Sequence, residues 1–181
     1  MNIPNFLSLL RIILVPVIVI FLIQDEYLKA LMVFVAAGLT DALDGTLARL
    51  LNKQTELGAF LDPLADKILL STSFIALSIF GLIPSWLTVI VISRDVIILA
   101  GIMTLSLMSV KYEIKPSFIS KVTTTLQICT IFLALFLKKF SFDFIVEYDF
   151  VTILAWLTAI FTILSGLIYI FKGIGFLNRS S

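Results

Sequence analysis

DALDGTLARLLNKQTELGAFLDPLAD, residues 41–66, sets four aspartates into a chain that is otherwise strongly apolar. Asp41 and Asp44 are three residues apart and Asp62 and Asp66 four apart, so on helices each pair projects from one face. The short turn Asn52 to Glu56 would bring the two pairs together. Four carboxylates that close cannot all stay ionised in a poorly hydrated site without cations, because repulsion and desolvation push protons onto them. All-oxygen ligation with no nearby His or Cys matches hard ions such as Mg2+, Mn2+ or Ca2+, which also hold phosphates and waters. Phosphoryl chemistry is the expectation that follows.

The surrounding sequence says where this chemistry takes place. Of 181 residues 60% are hydrophobic, and the mean hydropathy is +1.15, which marks an integral membrane protein. Six apolar runs of bilayer-spanning length predict helices at about Phe6–Ile23, Tyr27–Leu51, Phe60–Ile83, Ser85–Met108, Phe118–Leu137 and Phe150–Phe171. Pro84, Pro116 and the polar stretch Lys138–Asp149 mark breaks between them. The first run is read as a retained helix, because no small-residue cleavage site precedes Gln24. The fold class expected is an all-α integral membrane protein, residues 1–181 forming a single transmembrane domain of six helices.

An even number of spans puts both termini on one side. Arg11, Arg49, Lys53, Lys67, Lys111, Lys115, Lys121, Lys172 and Arg179 then lie at the same membrane face, against Lys29, Lys138 and Lys139 at the other, so both termini are expected to be cytoplasmic. At about 1.5 Å per residue, Asp41 lies roughly 15 Å from the inner end of its helix. The carboxylates would line an inward-open cavity. A net charge of +1 with scattered basic residues gives no nucleic-acid surface. With no His, acid and base work falls to carboxylates, Lys, Tyr or water. The lone Cys129 excludes an internal disulfide and is expected to be a small buried hydrophobe.

The spacing Asp41, Asp44-Gly45, Ala48-Arg49, Gly58, Asp62 and Asp66 resembles the complete signature of the CDP-alcohol phosphatidyltransferase family, all eight positions being present. The resemblance implies that Asp41, Asp44, Asp62 and Asp66 hold two Mg2+ or Mn2+ ions, with Asp66 also the general base. It further implies that Asp44, Gly45, Ala48, Arg49 and Gly58 bind the cytidine diphosphate. The reaction implied is attack by an acceptor hydroxyl on the lipid-linked phosphorus of CDP-diacylglycerol, with release of CMP. Ile3-Pro4-Asn5 ahead of Arg11 resembles the opening of family members that use sn-glycerol 3-phosphate and make phosphatidylglycerophosphate. The stretches Ser93-Arg94-Asp95 and Ile114–Val122 resemble members that use phosphatidylglycerol and make cardiolipin, which is the alternative. The family also implies a homodimer and, for a bacterial chain, the inner membrane with the active site facing the cytoplasm. A non-catalytic ion-binding membrane protein is a further alternative.

Each residue also has a structural reading. Asp62 before Pro63 suits a helix N-cap, whereas Asp41 and Asp44 inside an apolar helix suit a site, because ionisable groups there are costly. Gly45 and Ala48 suit a small-residue packing face, Arg49 interfacial snorkelling and Gly58 the turn into the third helix. Arg94 lies within a span and needs a partner or ligand, and Asp95, adjacent in sequence, is expected to point elsewhere. Arg94 and Lys121 are the candidate acceptor-binding cations, with inner-face anchoring the alternative for Lys121. Lys67 is read as structural or anchoring rather than catalytic, Ser165-Gly166 as a packing contact or dimer face, and the many Phe residues as lipid-facing or packing groups without a stacking pattern.

Overall fold

Apolar segments of this length satisfy their backbone amides in lipid by coiling on themselves, and the chain is helical wherever it is long and apolar. The computed structural model describes the backbone of residues 3–51, 56–107, 118–140 and 144–180, and side chains within 9–40, 64–101, 103–104, 118–140 and 149–173. Among the described residues there are six helices, α1 (Ile3–Ile23), α2 (Tyr27–Leu51), α3 (Glu56–Ile79), α4 (Ser85–Leu107), α5 (Phe118–Phe140) and α6 (Phe144–Ser180). By length and composition, Phe118–Phe140 and Asp149–Gly173 are apolar enough to cross a membrane.

Two described reversals use the same device. At the end of α1 the Asp25 amide donates to the Leu22 carbonyl at 3.1 Å and the Glu26 amide to that of Phe21 at 2.9 Å, with Asp25 at φ 57°. At the end of α3 the Gly81 amide donates to Ser78 at 3.1 Å and the Leu82 amide to Leu77 at 2.8 Å, with Gly81 at φ 70°. Both are Schellman caps, in which one left-handed residue lets the last carbonyls find donors. Glycine takes that conformation freely; Asp25 is among the few residue types that tolerate it, and its carboxylate accepts the Tyr27 hydroxyl at 2.7 Å.

The α1 helix packs against both α2 and α3; α5 packs against α6, α2 and α3; and α4 packs against α6 and α3. Fully buried Leu22, Phe74, Leu87 and Val91 fill the centre, and Ala30, Ala37, Ala155 and Ala159 let helices approach closely. Hydroxyls add polar ties between helices: Thr88 donates to the Phe74 carbonyl at 3.1 Å, Thr123 to that of Phe161 at 3.0 Å, and Thr130 pairs with Thr158 at 2.9 Å.

Several boundary expectations are corrected. The third helix begins at Glu56 and ends at Ile79, so Asp62 and Pro63 lie in its second and third turns rather than at a cap, and Gly58 lies within the helix. The cap at Gly81 ends it ahead of the expected Ile83. The polar stretch Lys138–Asp149 is largely helical, since α5 runs to Phe140 and α6 starts at Phe144. Phe132, Phe136 and Phe140 form a ladder along α5, with centroids 5.9 and 4.6 Å apart, and Lys138 and Lys139 sit favourably in its last turn. That ladder, and the Trp86–Trp156 pair at 4.8 Å, also replace the expectation of unpatterned aromatics.

Candidate active site

The carboxylates are carried by the final turns of α2 and the early turns of α3, helices bracketed by α1 on one side and α5 on another. Asp41, Asp44, Gly45, Ala48 and Arg49 belong to α2, and Gly58 and Asp62 to α3, but their side chains lie outside the described residues. Asp66 is described. It is half-buried and lines a cavity of about 520 Å³ together with Phe34, Gly38 and Leu39 of α2, Leu69 of α3 and Phe132 of α5. Among the described residues Asp66 is the one charged group on a wall that is otherwise apolar. Asp41 follows Gly38 by three positions, so the α2 segment that shares a cavity with Asp66 is the one leading into the first carboxylate pair.

Gly38 leaves this cavity open, since a Cβ there would meet nothing within 4 Å. Cys129 also lines the wall and is exposed, which corrects the expectation of a buried thiol. The groove is therefore walled by α2 and α5, with α3 and Leu154 of α6 completing it, and among the described residues is apolar apart from the one carboxylate.

A second cluster lies beside the first. Arg94, 5% exposed, donates from Nη1 to Asp95 Oδ1 at 2.6 Å, and from Nη2 to Ser120 Oγ at 2.8 Å and Ser165 Oγ at 2.9 Å. Lys67 Nζ donates to the same Oδ1 of Asp95. Asp95 was expected to point away from Arg94, as helix neighbours do; instead both side chains converge, because buried Arg94 and half-buried Lys67 share the one carboxylate. Gly166 makes room for the arginine stem: a Cβ there would stand 3.4 Å from Arg94 Cγ. Tyr169 places its ring 5.9 Å from the guanidinium carbon. Ser165 and Gly166 thus make a packing contact within the chain, and Lys67 pairs with Asp95.

The two expected acceptor cations differ in setting. Arg94 is buried and held by three neighbours, while Lys121 is exposed on α5 immediately after Ser120, which holds Arg94. Sequence reasoning did not single out Asp95, Ser120 or Ser165 as partners of Arg94. The signal was the arginine itself, which inside an apolar helix must find acceptors. Nor did it single out the burial of Arg11, which is 0% exposed on α1, the helix packed against both carboxylate carriers.

The chain is similar to known proteins. The sequence model of the CDP-alcohol phosphatidyltransferase family matches residues 1–164. The chain is similar to the cardiolipin synthase (CMP-forming) of Homo sapiens, 40% identical over 157 residues covering 78% of this chain and 52% of that protein. It spans about half the length of that protein and of its Rattus norvegicus counterpart. It is also similar to the CDP-diacylglycerol--glycerol-3-phosphate 3-phosphatidyltransferase of Bacillus subtilis (strain 168), 33% identical over 186 residues and covering 94% of each chain. The Aquifex aeolicus (strain VF5) protein of the same name is 36% identical over 126 residues, covering 68% of this chain and 70% of that one.

Proposed function

Because the chain belongs to the CDP-alcohol phosphatidyltransferase family, we propose that it transfers the phosphatidyl group of CDP-diacylglycerol to sn-glycerol 3-phosphate, releasing CMP and forming phosphatidylglycerophosphate. The observation that carries this reading is the apolar groove between α2 and α5 with Asp66 in its wall. A lipid-linked diphosphate needs that combination: a dry channel for an acyl chain, ending where carboxylates gather.

The donor set suits a divalent cation, being all carboxylate and placed on two helices that share a cavity. Asp41, Asp44, Asp62 and Asp66 would hold two Mg2+ or Mn2+ ions, whose charge, when bound, offsets that of the diphosphate and favours displacement at phosphorus. Asp66 takes the proton of the acceptor hydroxyl. The acceptor oxygen forms the new bond to the lipid-linked phosphorus, and the bond to CMP breaks with its electron pair on the departing phosphate. Gly45 and Ala48 leave space for the nucleotide beside α2, Gly58 lets α3 come close to it, and Arg49 supplies fixed positive charge. The acceptor phosphate lies against Lys121, with Arg94 behind Ser120 adding charge that the fold holds in place.

All six helices cross the membrane in this reading, with both termini and the carboxylate ends of α2 and α3 at the cytoplasmic face of a bacterial inner membrane. The excess of basic residues at the helix ends on the side of the termini, Arg11, Arg49, Lys53, Lys67, Lys111, Lys115, Lys121, Lys172 and Arg179 against Lys29, Lys138 and Lys139, supports that orientation. A homodimer is the expected assembly, and nucleic acid is not a partner. Cardiolipin formation from phosphatidylglycerol is the second reading, favoured by the 40% identity to the human cardiolipin synthase. Purified protein in lipid nanodiscs, given CDP-diacylglycerol and each acceptor in turn, decides between them by the lipid product. Cardiolipin from phosphatidylglycerol, with glycerol 3-phosphate ignored, replaces the first reading by the second; CMP release with neither acceptor removes both.

A further inference from the structure

Asp95 accepts two cations on one oxygen, and those cations come from different helices. Lys67 reaches it from α3 and Arg94 from its own helix α4, while Arg94 is tied onward to Ser120 of α5 and Ser165 of α6. Four helices therefore meet at the Arg94–Asp95 pair, each residue 5% exposed. Lys67 is also the residue after Asp66, so whatever fixes the direction of the Lys67 side chain fixes the rotation of that turn of α3. Asp66 faces the groove shared with α2 and α5 while Lys67 is drawn to α4.

We propose that Asp95 is a positioning residue for the transfer reaction: by anchoring Lys67 to the Arg94 clamp, it sets the rotation of α3 and hence where the Asp66 carboxylate stands in the groove. The proposal rests on the reading of Asp66 as the base. A helix with side chains has a radius of about 5–6 Å, so a rotation of roughly 20° carries the Asp66 carboxylate about 2 Å. Misplacement of a catalytic group by about 1 Å costs on the order of 100-fold in rate. The clamp is referenced to the same α5 that walls the groove, so base and acyl channel share one frame. Gly166 keeps that frame compact by letting the Arg94 stem lie against α6.

Three variants separate positioning from mere stability: Lys67→Met, Asp95→Asn and the double variant, assayed in nanodiscs for thermal midpoint and for kcat and KM with CDP-diacylglycerol. Lys67→Met leaves Asp95 paired with Arg94 and is expected to unfold near the wild-type temperature, whereas the double variant leaves buried Arg94 only an amide acceptor and is expected to melt lower. Asp95→Asn alone leaves buried Arg94 and half-buried Lys67 without an anion and is expected to melt lowest. Lys67→Met and the double variant are expected to lose about 10–100-fold in kcat with the donor KM within about twofold of wild type. Wild-type kcat in either overturns the proposal and leaves the cluster purely structural. An active wild type with unaffected variants refutes positioning alone, whereas a wild type that releases no CMP refutes the proposed function on which it rests.

Discussion

Gly38→Leu tests whether the groove between α2 and α5 holds the donor's acyl chain. A Cβ at Gly38 meets nothing within 4 Å, so a side chain there starts in open space on the groove wall. Within α2 the exchange also removes a helix-propensity penalty of about 1 kcal/mol, so the fold is expected to become slightly more stable. The four added carbons occupy room for about four methylenes of a bound chain. For a short-chain donor arriving from water, at about 0.8 kcal/mol per buried methylene, the loss is about 3 kcal/mol, or roughly 200-fold in affinity. A long-chain donor leaves surroundings as apolar as the groove, so it loses only fit and shows a smaller effect. The assay is the KM for monomeric CDP-dihexanoylglycerol, with competitive inhibition by CDP as the control that lacks a chain. Gly38→Ala, adding one methyl, is expected to raise that KM about fourfold. An unchanged KM in Gly38→Leu, or an equal change in CDP inhibition, refutes the placement of the chain.

Asp41→Asn, Asp44→Asn and Asp62→Asn are each expected to lower transfer at least about 100-fold with insertion intact, and chelation of divalent ions to abolish wild-type turnover until Mg2+ is restored. Asp66→Asn should lower kcat about 100-fold or more while retaining CDP binding measured by titration; equal loss of both counts against its role as base. Lys121→Ala, at an exposed position, should raise the KM for glycerol 3-phosphate about tenfold at an unchanged thermal midpoint, whereas Arg94→Ala should lower the midpoint too, because it abandons three hydrogen bonds. Gly166→Val drives its methyls toward Arg94 Cγ and should destabilise by about 1–3 kcal/mol in thermal unfolding, with Gly166→Ala close to neutral.

Six apolar runs and the carboxylate spacing made the helices and the Asp41–Asp66 stretch legible, because both are local patterns. Helix ends were less legible: the capping role of Gly81 competed with an apolar run that continues through Leu82 and Ile83, and the Phe ladder of α5 carried the helix into a stretch whose polarity suggested a break. The Arg94 clamp was not legible beyond the arginine. Its partners lie 26 and 71 residues away, and its third partner, Asp95, is a sequence neighbour that ideal helix geometry turns aside. Long-range pairing of buried charge is set by packing, which leaves no period in the sequence.

Cys129 gives the groove a chemical handle that the native chain already carries. It is the sole thiol of the protein, and it stands exposed in the groove wall. No engineered label is needed to watch this surface, and no second thiol confuses the signal. A membrane-soluble alkylating reagent that reacts there also leaves its own bulk in the channel, so one covalent event both reports on the groove and plugs it. A lipid that slows the alkylation must lie along that wall, and the chain length at which protection begins measures how far the tail extends past the thiol.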